Sequence, residues 1–149
     1  MQKQVTGYEV LKRRMVSSPF LYILAGMLVG IAIARLYVFL GGDLNVRYGG
    51  ILIHHFFIGI LLVMAVSAIM FLFYDKAARS VKLRSFLSFF FGFGVGLIVD
   101  EANLLVSTAQ LYSLSQYYSV YNVYAEFGVI AVFAVLFFFS LLLDQKRKA

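Results

Sequence analysis

Cysteine is absent from this 149-residue chain, so disulfides, thiolate metal sites and cysteine redox chemistry are excluded. Proline occurs once, at Pro19, and nothing interrupts the long apolar runs that follow. That pattern favours helices over a membrane barrel, whose strands would be alternating segments of about ten residues split by turns. Charge is scarce as well. Asp, Glu, Lys and Arg make up 13% of the chain against 62% hydrophobic residues, too little polar surface to wrap a core in water. The chain reads as an integral membrane protein whose surroundings are the lipid bilayer.

Four segments exceed the roughly 20 residues needed to cross about 30 Å of hydrocarbon, namely 19–40, 50–74, 83–110 and 121–143. The expected fold is all-α, a single transmembrane domain of four helices in an antiparallel bundle. No internal repeat, low-complexity linker or second domain is visible. "AIA" at 32–34 mimics a signal-peptide cleavage site, but apolar residues continue past Arg35, and the first segment reads as a retained span.

The net charge of +6 is gathered into three clusters. Lys3, Lys12, Arg13 and Arg14 precede the first span, Lys76, Arg79, Lys82 and Arg84 join the second to the third, and Lys146, Arg147 and Lys148 end the chain. The loop after the first span offers only Arg47, and the stretch between the third and fourth has no Lys or Arg. Both termini are therefore expected on the cytoplasmic side of the cell membrane. No basic domain exists to carry nucleic acid, so none is expected as a partner. "LYSLSQYYSVYNVY" places Tyr112, Tyr117, Tyr118, Tyr121 and Tyr124 at the outer boundary, where they read as an aromatic belt.

Against this background "GLIVDEANLLVS", residues 96–107, sets two carboxylates side by side. Arg35 lies about 16 residues past Pro19, roughly 24 Å along a helix rising 1.5 Å per residue. Asp100 lies about as far past Arg84, while His54, His55 and Glu126 fall within a turn or two of their own segment starts. With Glu101 beside Asp100, all six are expected at one level in the outer half of the membrane. Charges in hydrocarbon cost several kcal/mol each on most scales, so these groups are expected to face inward and pair. On the third segment Gly92, Gly96, Asp100, Asn103, Ser107 and Gln110 form one helical stripe of small or polar residues, with Glu101 about 100° round on its flank. Asn122 and Glu126 share a face of the fourth. His54 aligns with Ala65 and His55 with Gly59, which leaves open which imidazole faces the interior.

With neutral histidines, Arg35 contributes +1 and Asp100, Glu101 and Glu126 contribute −3, a sum of −2. One divalent cation or two protons would cancel it. Imidazole with carboxylate suits Zn²⁺, Mn²⁺ or iron, which makes His54, His55, Asp100, Glu101 and Glu126 candidate ligands, with Arg35 balancing charge. A metal-bound water would be the nucleophile if the site were catalytic. Neither H-E-x-x-H nor the Glu-x-x-His of di-iron bundles is present. Two other readings stand beside the metal: a proton or ion pathway through His and carboxylates, and a polar layer that fixes helix packing, including in an accessory subunit of a larger membrane complex. Haem is not expected, because both histidines sit on neighbouring faces of one helix. Nor is a nucleotide, because "GFGVG" at 92–96 lacks a strand-turn-helix setting and reads as close packing. The small-residue face Gly26, Gly30 and Ala34, like the glycine stripe, would suit another helix of the chain or a second copy in a homo-oligomer.

"IHHFFIGILL" followed one helix later by "GFGVGLIVDE" resembles small prokaryotic integral membrane proteins of unassigned function that share an His-His helix start and a Gly-rich helix leading to Asp-Glu. The likeness covers the second and third segments and implies no activity.

Overall fold

Pro19 opens helix α1, which runs over Pro19–Phe39. Its missing N–H costs nothing in a first turn, where amides have no intrahelical partner. The helix ends in a Schellman motif. Gly41 takes φ 86°, its N–H donates to the Val38 carbonyl, and the Gly42 N–H donates to the Tyr37 carbonyl. A short antiparallel hairpin follows, β1 (Val46–Tyr48) and β2 (Ile51–Ile53), pairing Val46 with Ile53 and Tyr48 with Ile51. Then come α2 (His55–Leu72), the six-residue α3 (Tyr74–Arg79), α4 (Val81–Asp100) and α5 (Val120–Lys146). This computed structural model describes residues 15, 16, 18–42, 46–48, 51–101 and 117–146.

Four of these helices, α1, α2, α4 and α5, are long and apolar enough to cross a membrane. Two expected boundaries need correction. The second span begins at His55 rather than near Gly50, because 51–53 pairs as a strand and His54 is extended at φ −102°, ψ 153°. The third ends at Asp100 rather than Gln110, because Glu101 leaves the helix at φ −111°, ψ 27°. Asn103, Ser107, Gln110 and Tyr112 lie outside the described residues, as do Lys3, Lys12, Arg13, Arg14, Arg147 and Lys148.

Helix α4 is the hub. Half of its apolar stretch is buried, against 11% for α2 and for α5, which leaves those two with mostly outward-facing side chains. The cause is glycine. A methyl group added at Gly92 or Gly96 would collide with the backbone of α1 at Ile23 or Met27, and one at Gly26 would collide with the Phe89 carbonyl. At Gly30 it would lie 2.5 Å from the Phe93 carbonyl oxygen. The other side of α4 does the same with α2, where a methyl on Gly59 would lie 2.7 Å from Gly94 O and one on Gly94 2.9 Å from Gly59 O. Such backbone-to-backbone approach is how helices gain packing where lipid removes the hydrophobic drive between them. "GFGVG" is thus close packing on two faces, with Gly92 and Gly96 toward α1 and Gly94 toward α2. The face Gly26, Gly30 and Ala34 is buried within the chain itself.

Candidate functional site: a polar layer at the helix ends

The two-faced character of α4 continues into its last residues. Asp100 lies eight residues after Gly92 and faces α1, while Glu101 lies seven residues after Gly94, two turns on, and faces α2. Both side chains are completely buried. Asp100 Oδ1 accepts from Arg35 Nε of α1 at 2.8 Å. Its other oxygen, Oδ2, meets His55 Nε2 at 2.9 Å and accepts from the Tyr117 hydroxyl at 2.5 Å. Glu101 Oε1 lies 3.3 Å from His54 Nδ1 and 3.4 Å from His55 Nδ1, and Glu101 Oε2 accepts from the Phe56 N–H at 3.1 Å. Arg35 reaches a third acid, pairing through Nη2 with Glu126 of α5.

All six residues singled out from the sequence therefore meet, and both histidines turn inward. His54 can do so because it precedes α2 and is not bound to a helical face, and His55 opens the first turn. His55 stands between the two acids, one ring nitrogen toward each.

Helix ends explain the rest of the arrangement. The first amides of a helix lack intrahelical acceptors, and His54 at the N-cap of α2 makes no side-chain capping bond. Glu101 supplies the missing acceptor from another helix, with its carboxylate where the positive end of the helix dipole favours it. At the end of α4 the Asp100 carbonyl accepts from Asn122 Nδ2, and the same nitrogen donates to the Tyr117 carbonyl at 3.2 Å. Asn122 is itself capped into α5, its N–H donating to Ser119 Oγ at 3.4 Å. One buried layer thus serves the start of α2 and the end of α4.

Sequence reasoning missed Tyr117. It is fully buried, donates to Asp100, and lies under the Arg35 guanidinium, whose Cζ is 4.7 Å from the ring centroid, with Tyr118 at 5.4 Å. Of the other tyrosines expected in an aromatic belt, Tyr118, Tyr121 and Tyr124 are exposed. No spacing marks Tyr117 apart from its neighbours; the only signal is its place just before a helix start at the depth of the acids.

Burial sets the electrostatics beyond the spans. One residue past the apolar stretch of α4, burial pushes the Glu101 carboxyl above the usual carboxylate range, opposed by His55, the Phe56 N–H and His54. Burial, and then the hydrogen bond to Asp100, push the Tyr117 phenol far up, so it acts as a neutral donor. Among the described residues no group of three or more His, Asp or Glu side chains is arranged to hold a metal ion.

The fold and this layer define a helical bundle, with four helices that fit a multi-pass membrane protein and a buried, hydrogen-bonded polar end. Comparison with protein-family models, with curated proteins and with solved structures finds no match in any of the three.

Proposed function

We propose that the polar layer is a register lock, and that the protein serves the cell membrane as a structural or accessory component. In this reading it crosses the bilayer four times as an up-and-down antiparallel bundle. Both termini and the basic joint around α3 lie on the cytoplasmic side, and the layer lies toward the outer face. The observation that carries the lock is the division of labour between Asp100 and Glu101. All four of their oxygens face nitrogen or hydroxyl groups of the protein, and those come from Arg35 of α1, from His54, His55 and the Phe56 N–H at the start of α2, and from Tyr117 ahead of α5.

Such a layer favours one register only, because sliding any helix by a turn would strand buried charge. Hydrocarbon offers no water to satisfy what is left behind. Both carboxylates of α4's end are met by groups of the protein itself, with His55 between them, Nε2 toward Asp100 and Nδ1 toward Glu101.

A bound divalent cation is the second reading, favoured by one feature. Glu101 Oε1 stands 3.3 and 3.4 Å from two imidazole nitrogens, close to the ~3.4 Å separation of ligand atoms around a tetrahedral ion with bonds of about 2.0–2.1 Å. In this reading His54, His55 and Glu101 would close around the ion, with Asp100 and Glu126 as further oxygen donors, a shift from the present arrangement, where among the described residues no three such side chains stand ready for a metal. A single experiment separates the readings. Protein purified in detergent without chelator is assayed for metal content and melted before and after treatment with a chelator. The lock predicts metal-free protein with an unchanged melting temperature, lowered by Glu101→Gln. Stoichiometric zinc, manganese or iron, with a melting temperature that falls on chelation, would replace the lock with the metal site.

A further inference from the structure

The layer leaves the opposite end of the bundle unexplained. There, Lys76, Arg79, Lys82 and Arg84 fall within nine residues, with Asp75 as the lone acid among 73–84. Helix α2 ends at Leu72 and α4 begins at Val81, so these residues join two spanning helices and must sit where hydrocarbon meets water. A joint needed only to orient the chain could be any short cationic loop. This one is folded. Ala77 of α3 is buried in a cluster with Val66 of α2 and Leu87 of α4, against Leu83 and Met70. The turn is held in addition by the Arg79 Nε–H, which donates to the Asp75 carbonyl at 3.2 Å.

Seating Ala77 fixes what surrounds it. Lys76 and Arg79 are exposed on either side, and so is Lys82 at the start of α4. Just before this cationic set in the chain, at the end of α2 and the start of α3, the side chains of Phe71, Leu72, Phe73 and Tyr74 are exposed. Exposed apolar and aromatic groups next to exposed cations offer partners for both parts of a phospholipid, its acyl chains and its phosphate.

We propose that the α2–α3–α4 joint is a binding surface for anionic phospholipid headgroups, with Lys76, Arg79 and Lys82 as its cations. Arg79 supplies the planar fork suited to phosphate oxygens, while the lysines act as point charges. The proposal needs only that the helices span a bilayer, and does not depend on the role of the polar layer at the other end.

The test places the full-length protein in nanodiscs of equal parts phosphatidylcholine and phosphatidylglycerol, then counts the lipids retained on mild extraction by native mass spectrometry. Each basic residue near a charged surface contributes about a fivefold preference, so retained lipid should be enriched severalfold in phosphatidylglycerol. A wash in 1 M salt should remove most of that enrichment, since the Debye length falls to about 3 Å. The variant K76Q/R79Q/K82Q should lose it, and the charge-conserving K76R/K82R should keep it. Equal retention of the two lipids by the wild-type protein would overturn the proposal without recourse to any variant. So would an enrichment that survives in a folded triple-Gln protein.

Discussion

The bundle is held in two ways, and the contrast between them is instructive. Along its middle, α1, α4 and α2 meet through glycine, backbone on backbone. At the helix ends the same elements meet through Arg35, His54, His55, Asp100 and Glu101, with almost every contact polar. A glycine seam gives close packing but tolerates sliding, since small residues repeated every four positions present similar surfaces one turn away. A layer of buried charges tolerates none. The seam therefore supplies adhesion and the layer supplies register, and substitutions should separate the two.

The largest effect is expected in the seam. Gly92→Ala adds a single methyl group, but that methyl would overlap the Ile23 backbone, which cannot rotate away as a side chain could. The helices must part along their length, and a destabilisation of about 4 kcal/mol or more is expected, at the upper end for single substitutions. Unfolding in detergent, followed by circular dichroism, checks this. A melting temperature near that of the wild type would mean that α1 and α4 are not in contact there.

Next comes the layer. Arg35→Ala leaves Asp100 and Glu126 without their shared cation. Breaking a buried pair costs about 3–5 kcal/mol, but Arg35 is 22% exposed, so about 3 kcal/mol is the appropriate expectation. Removing Asp100 in the same protein should restore part of the loss, because the stranded charge goes with it. A double variant as unstable as the sum of its parts would show that the pair contributes no coupling. Tyr117→Phe should cost less, about 1.5–3 kcal/mol for one hydrogen bond to a group salt-bridged to Arg35, with the ring still in place beside that arginine. If Tyr117→Phe melts like the wild type, the hydroxyl is not part of the lock.

These two modes of contact were unequally legible in the sequence. The seam was readable because Gly92, Gly96 and Asp100 recur at helical spacing, and periodicity survives any uncertainty about neighbours. The membership of the layer was readable from depth alone, since a charged group in an apolar segment needs partners at its own height. The pairing within it was not. By spacing alone Glu101 reads as a flanking residue, yet its register with Gly94, visible only once α2 is known to pack on that side, makes it the cap of α2. The inward turn of both histidines depends on α2 starting at His55, which the hairpin at 46–53 decides and apolar composition hides. Tyr117 donates to Asp100 from 17 residues away in the chain, and no local pattern encodes that pairing.

The smallest expected effect returns to glycine and makes the sharpest version of the comparison. Gly128 lies inside α5 and is exposed, and an added methyl there would meet nothing within 4 Å. Helical glycine costs about 0.5–1 kcal/mol relative to alanine through backbone entropy alone. The substitution made at Gly92 should therefore reverse its sign at Gly128, with Gly128→Ala raising stability by about 0.5 kcal/mol. Because α5 faces outward over most of its length, the gain should also leave lipid retention and the oligomeric state in detergent unchanged. A loss of stability at Gly128 would mean that this face of α5 is covered in the membrane by something other than lipid, and α5 would then belong with α4 among the packed helices.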